Sequence, residues 1–354
     1  MHDLALYRKY RPKTWGEVLG QDHIVDVLES SIETNKVSHA YLFVGSRGTG
    51  KTSVARIFGD KIGVSTNDLY EIDAASNRGI EDIKELREGA RVLPFDSKYK
   101  IYIIDEVHML SKDAWGALLK ILEEPPKHVI FILATTEFHK VPETIISRCQ
   151  VFTFRKPTEI LLKNRVLDIA KKEKHELEPE GAELIAILGD GSFRDAEGIL
   201  QKVLNFSFGR KSTGEAKSKI IKREEIEKIT GAPKTTLIND FISAIAEKNL
   251  EKGIGAVRKA AAENLDMKLY LKLIIQKLRM AIILRYAPKM EEEMAGDLGK
   301  DDLEFLKKLI KEDKNGMLRS HTLSALLGAY QDIDRAFISE LPLELALVEI
   351  LGEK

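Results

Sequence analysis

The chain has 354 residues, 44% apolar and 31% charged, with a net charge of −1. That length predicts about two to three domains with material for several cores. No run approaches the ~20 apolar residues of a membrane span, the single cysteine, Cys149, excludes an intrachain disulfide framework and fits a reducing compartment, and the near-neutral charge leaves any nucleic-acid contact to a local basic patch. The opening "MHDLALYRKYRPKTW" turns charged and aromatic at once, so it is no secretory signal, and a cytoplasmic protein without a membrane partner is expected.

In chain order, "YLFV" (41–44) reads as a buried parallel strand. It leads into Gly45-Ser46-Arg47-Gly48-Thr49-Gly50-Lys51-Thr52, which matches G-x-x-x-x-G-K-[ST] at every fixed position. The glycines let the backbone wrap closely and turn its N–H groups inward. The helix predicted over "TSVARIF" adds its positive N-terminal end. In this pattern Lys51 reaches the β- and γ-phosphates of a nucleoside triphosphate, and the Thr52 hydroxyl ligates Mg²⁺.

A strand near 69–73 precedes a helical pattern, "NRGIEDIKELREGAR" (77–91), in which Lys84, Arg87 and Arg91 share one face beside Glu81, Glu85 and Glu88. Two readings stay open: a surface laced with weak ion pairs, or a stripe that positions a DNA duplex by its phosphates. "YKIYIIDEVHML" (99–110) is a further strand that ends in Asp105-Glu106. Carboxylates at that end sit where a phosphate ligand would be. Asp105 would hold Mg²⁺ through water, and Glu106 would deprotonate the attacking water. "HVIFILATTE" (128–137) gives another strand, ending in Thr135-Thr136, either of which could contact the γ-phosphate or its water, or simply cap the strand end.

In "VPETIISRCQVFTF" (141–154), Pro142 opens a short helix and "VFTF" is the last strand. Arg148 reads equally as a solvated arginine or as an arginine finger offered to a neighbouring subunit's γ-phosphate. In "ILGDGSFRDAEGILQKVL" (187–204), Arg194 opposes the dipole of the helix it begins, which hints at an anionic partner unless Asp195 neutralises it. The rest is helical pattern: a lid over 158–230 holding a basic, flexible loop at 209–219, then wide apolar faces in "TTLINDFISAIAEKN" and "LYLKLIIQKLRMAIILRY" that bury against each other or against other subunits. Residues 288–302 read as an exposed connection. The histidines His39, His108, His128 and His139 show no metal spacing, and Trp115 with Leu118, Leu119 and Leu122 forms a core face.

"LYRKYRPKTWGEVLGQDHIV", "GSRGTGKTS", "EIDAASNRGIEDI", "YIIDEVHMLS", "ALLKILEEPPKHVIFILATTE", "VPETIISRC" and "GSFRDAEGIL" together resemble the gamma/tau subunits of the bacterial DNA polymerase III clamp loader, which are AAA+ ATPases. The resemblance is dense over about 4–205 and returns in "ELPLELALVEIL" (340–351). It implies an AAA+ P-loop α/β domain with a five-stranded parallel sheet (1–156), a small helical lid (157–231) and an all-α collar that holds an oligomer together (232–354). It places Lys51 and Thr52 at Walker A and Asp105 and Glu106 at Walker B. Thr136 falls on sensor 1, Arg148 on the finger acting in trans, and Arg194 on sensor 2 acting in cis. Tyr10, Arg11 and Pro12, with Val18 and Gln21, resemble the part that closes over adenine and ribose. ATP and Mg²⁺ are the implied ligands. The implied partners are other clamp-loader subunits in a hetero-oligomer of pentameric type, the sliding clamp and primed DNA.

Two features depart from the family. The four-cysteine zinc module expected after the Walker A helix is replaced by "GDKIGVSTNDLY" (59–70), which has no cysteine, so no zinc is expected. The chain stops at Lys354 without a proline-rich linker, like the short, gamma-like form. The alternatives are a weakly hydrolysing ATP-binding scaffold, against which the Asp105-Glu106 pair argues, and another AAA+ DNA motor of the branch-migration type, which would need a winged-helix end.

Overall fold

Five short strands form one parallel sheet: β1 (Ala40–Val44), β2 (Leu69–Asp73), β3 (Lys100–Asp105), β4 (Val129–Thr135) and β5 (Gln150–Thr153), in the order β2-β3-β4-β1-β5. These are the five strands the apolar runs predict. The computed structural model describes residues 4–211, 220–290 and 300–352. Beyond residue 211 the expected basic loop lies outside these, as do 291–299 of the expected connection. No helix among the described residues is long and apolar enough to cross a membrane.

The central strands are buried because helices cover both sheet faces, and side chains alternate between them. One face carries Leu42, Tyr102, Ile104, Phe131 and Leu133. They pack with Ile83 and Leu86 of α4 (Ile80–Arg91) and Leu118 and Ile121 of α5 (Lys112–Glu123). The other face carries Tyr41, Phe43, Ile103 and Ile132, against Ile24 and Leu28 of α2 (Asp22–Glu33) and Val54 and Phe58 of α3 (Lys51–Lys61). Two short helices, α1 (Leu6–Lys9) and α6 (Glu143–Ile146), complete this region.

Because every pairing is parallel, all strands end on the same edge of the sheet. The register places Val44 beside Thr135 and Thr153, and Asp73 beside Asp105. That edge collects the glycine loop, Glu106 and Thr136.

The end of α4 is built from a distance. Lys100, 4% exposed, donates to the carbonyls of Gly89 and Val92 at 3.0 Å each, a cation on the last carbonyls of a helix. Next along the chain, buried Asp68 accepts the N–H groups of Phe95, Asp96 and Ser97 at 2.6, 2.8 and 2.8 Å. Burial pushes its pKa up, but these donors and the Ser97 hydroxyl prevail and hold it at about 2. Between the two anchors Val92, Leu93 and Phe95 stand 62%, 72% and 81% exposed.

The remaining helices are α7 (Glu159–Lys172), α8 (Pro179–Leu188), α9 (Phe193–Lys211), α10 (Arg223–Thr230), α11 (Thr235–Ala246), α12 (Leu250–Ala262), α13 (Met267–Tyr286), α14 (Lys300–Glu312), α15 (Ser320–Asp332) and α16 (Leu341–Leu351). The chain groups into two units, Met1–Ile169 with Ile185–Gln201 and Ala170–Leu184 with Lys202–Lys354. The segment expected as a lid is divided between them.

In the second unit Phe241, Tyr270, Ile274, Leu278 and Leu347 are fully buried. The Tyr270 hydroxyl donates to the Leu237 carbonyl at 3.1 Å. The C-terminal end of the expected exposed connection is helical instead, and half-buried at Asp302: α14 begins at Lys300, and Asp302 pairs with Arg223 at 3.4 Å and with Lys277. Burial of the Lys277 ammonium lowers its pKa and Arg223 adds to that, so it is the Asp302 carboxylate that holds a charge otherwise costly inside.

Candidate nucleotide site

The glycine loop turns between β1 and α3. Gly48 adopts φ 73 and Gly50 φ 101, backbone that side chains disfavour. At Gly48 there is a second reason for glycine. Its carbonyl accepts the Phe193 N–H at 3.0 Å, and an added Cβ would lie 2.0 Å from the Ser192 Oγ. Ser192 in turn caps α9, since its Oγ accepts the Asp195 N–H at 3.2 Å. The loop and the helix bearing Arg194 therefore meet through backbone.

Lys51 is only 6% exposed and donates to the carbonyls of Gly45 and Ser46 at 2.7 and 3.0 Å. Burial lowers its pKa, while Glu106 and Asp105 oppose that and Arg194 adds to it. Thr52 donates to Asp105 Oδ2 at 2.9 Å, and the Glu106 N–H donates to Asp105 Oδ1 at 3.0 Å. Glu106 itself takes a left-handed conformation, φ 48. Thr136 donates to Glu106 Oε2 through its hydroxyl at 3.0 Å and its N–H at 3.3 Å. Thr135 points inward and is fully buried.

Arg11 approaches α3, its Nε donating to the Ser53 hydroxyl at 3.1 Å. Burial lowers its pKa, then Arg56 and Arg194 do so too, against Glu71 and Asp105. Arg194 is exposed, 5.9 Å over the Tyr7 ring. Asp195 does not neutralise it; the Asp195 carboxylate instead faces Arg47 of the loop at 3.8 Å. Arg11, Lys51 and Arg194 thus form a cationic group beside the Thr52–Asp105 pair.

The other expected residues play visible packing parts. The Tyr10 carbonyl accepts from Arg165, and Pro12 is half-buried beside Arg11. Val18 belongs to the core under α2. Gln21, 1% exposed, donates to the Arg155 carbonyl at 2.8 Å and accepts its N–H at 3.0 Å, which uses both ends of its amide. Arg148 is not brought to the loop: its guanidinium donates to the Thr144 carbonyl at 2.7 Å and to Glu123 at 2.8 Å. The α4 stripe is not uniform either. Lys84 pairs with Glu81 at 3.0 Å, the Arg87 Nε is buried, and Arg91 is exposed.

Ser192 is the residue missed in the sequence. A serine ahead of a helix reads as a cap, but nothing local places it under Gly48.

These residues fit a nucleoside triphosphate with a divalent cation. A buried ammonium rests on two carbonyls that a phosphate would outbid, and no side chain caps the N-terminus of α3. A hydroxyl and a carboxylate, hard oxygen ligands, stand together next to it.

A family model described as DNA polymerase III, delta subunit, matches residues 20–68 and 64–158. The chain is 38% identical to the DNA polymerase III subunit tau of Bacillus subtilis, over 81% of this chain and 53% of that one. It is 35% identical to the subunit gamma/tau of Mycoplasma genitalium, over 98% and 61%. The chain therefore spans little more than half the length of these relatives. To the DNA polymerase III subunit gamma of Buchnera aphidicola it is 34% identical, over 81% of this chain and 80% of that one. Among solved structures, the Thermotoga maritima RuvB Holliday junction branch migration motor matches with a TM-score of 0.53 at 21% identity, over 67% and 80% of the two chains. At that identity it shows the fold alone, an AAA+ P-loop fold. On the identity and coverage of its relatives, the chain belongs to the DNA polymerase III gamma/tau subunit family.

Proposed function

We propose that this chain is an ATP-driven clamp-loader subunit, one that binds and hydrolyses ATP to open a sliding clamp and place it on primed DNA during replication. The observation that carries the reading is the meeting of Lys51, Thr52, Asp105, Glu106 and Thr136 at one edge of the sheet. Membership of the gamma/tau family supports the replication part of the reading.

On this reading Lys51 leaves its two carbonyls for the β- and γ-phosphates. A Mg²⁺ ion held by Thr52 and, through water, by Asp105 would offset the phosphate charge. Glu106 takes the proton of the attacking water, and Thr136 orients that water. Arg194 acts on the same nucleotide, anchored to the loop by the Phe193–Gly48 bond. Tyr10, Arg11 and Pro12, with Val18 and Gln21, would close over the base and ribose, as the family resemblance implies, with the Arg11 guanidinium reaching from there to Ser53.

Arg148 serves a neighbouring subunit. It rests on Glu123 in a pair 33% and 45% exposed, a pair whose loss costs only about 0.2–1 kcal/mol, and on the exposed Thr144 carbonyl contact, which water can replace. An assembly of clamp-loader subunits would be held through residues 232–354 as collar, with 157–231 as lid. The apolar tip Val92, Leu93 and Phe95 suits a protein partner, and we assign it to the clamp. Lys84, Arg87 and Arg91 are the candidate phosphate contacts for DNA.

The test is steady-state ATPase of the chain with companion subunits, with and without clamp and primed DNA. We expect turnover that rises with both. A rate indifferent to both additions overturns the reading.

A further inference from the structure

His108 has its side chain 6% exposed, and the chemistry above makes no use of it. It lies in the short turn Val107–Met109 that follows Glu106. Its Nδ1 is 3.0 Å from the Thr135 Oγ1 and 3.4 Å from Glu106 Oε2. Its Nε2 is 3.4 Å from Glu137 Oε1.

The Thr135 hydroxyl also accepts the Glu137 N–H at 3.0 Å. The imidazole closes a ring with residues 135–137 while touching Glu106. It is a strut from the turn after β3 to the end of β4. Glu106 has need of one. Its backbone is left-handed without being glycine, a conformation that persists only where its surroundings enforce it.

We propose that His108 is a positioning residue for ATP hydrolysis: its ring locks the turn carrying Glu106 to the strand end carrying Thr136, so that the base and the hydroxyl that orients its water keep a single spacing. This rests on the reading of Glu106 as the base. His108 acts through Glu106. Near-attack geometry is sensitive at this scale, where a displacement of about 1 Å can remove about 100-fold in rate.

The test compares His108→Phe, which keeps the ring and removes both nitrogens, with His108→Gln, which retains an acceptor and a donor. Glu106→Gln is the reference, and all are assayed in the assembled complex. We expect His108→Phe to lower kcat by about 10–100-fold, with the KM for ATP within about twofold. Fluorescence of the tryptophans should still report a single cooperative unfolding transition, its midpoint lowered by no more than the loss of one buried hydrogen bond, and His108→Gln should recover much of the rate. If Glu106→Gln abolishes turnover while His108→Phe keeps the full rate, the role of His108 alone is overturned. The same holds if kcat, ATP affinity and midpoint all fall together. If Glu106→Gln still turns over at the normal rate, the reading of Glu106 fails and this inference with it.

Discussion

Replacing Gly48 by alanine tests how tightly the phosphate loop is tied to the helix of Arg194. Two effects add. Alanine at φ 73 costs about 1–2 kcal/mol of backbone strain. Its Cβ would lie 2.0 Å from the Ser192 Oγ and 2.9 Å from the Ser192 Cβ, an overlap worth about 1–3 kcal/mol. Gly48→Ala should therefore destabilise by roughly 2–5 kcal/mol.

The overlap is separable from the strain. Ser192→Gly removes both overlapping atoms and costs only a few tenths of a kcal/mol as a cap change. In that background Gly48→Ala should cost just the backbone strain, leaving a coupling of about 1–3 kcal/mol in the double-mutant cycle. Both tryptophans, Trp15 and Trp115, lie in the α/β unit and pack against its cores, so urea unfolding followed by their fluorescence reads this unit alone. ATP binding should weaken in Gly48→Ala and partly return in the double variant. A coupling below about 0.5 kcal/mol would refute the close-packing argument.

Asp68 predicts an acid-sensitive stretch. Its folded pKa, about 2, lies below the usual 3.8. Its carboxylate therefore stabilises the fold at higher pH, and that contribution is lost as pH falls from near 4 through 2. Asp68→Ala should cost about 1–3 kcal/mol at neutral pH by orphaning the N–H groups of residues 95–97. Unfolding curves of the two proteins should converge towards pH 2; a constant gap would count against the assignment. Leu93→Ser with Phe95→Ser, both at exposed positions, should change stability by no more than about 0.5 kcal/mol and should abolish stimulation of the ATPase by clamp but not by DNA. Unaltered stimulation by clamp would remove the tip from the interface.

The strands and the glycine loop between β1 and α3 are legible in the sequence because their signals are local. A buried strand is a run of apolar residues, and the loop is a fixed spacing ending in Lys51 and Thr52. What escapes depends on which strand ends lie side by side. The order β2-β3-β4-β1-β5 sets His108 against Thr135 and Thr136 against Glu106, and no periodicity encodes that order. The same holds for Ser192 beneath Gly48, for Asp68 under residues 95–97 and for the grip of Gln21 on Arg155. Asp195 shows the limit of local charge reasoning: it stands next to Arg194 in sequence yet faces Arg47 across the loop. At residues 300–302 a charged stretch read as an exposed connection, but Asp302 had cations waiting for it on α10 and α13.

In the function proposed, a second subunit's arginine completes the ATPase. Turnover of the isolated chain, shown to be monomeric by sedimentation, is compared with turnover of the assembly, each with and without Arg148→Ala. We expect the monomer to be nearly inert with either residue, and the assembly to lose about 10³–10⁵ in rate on substitution. A monomer that hydrolyses ATP at the assembled rate, with alanine at 148 making no difference, would contradict it.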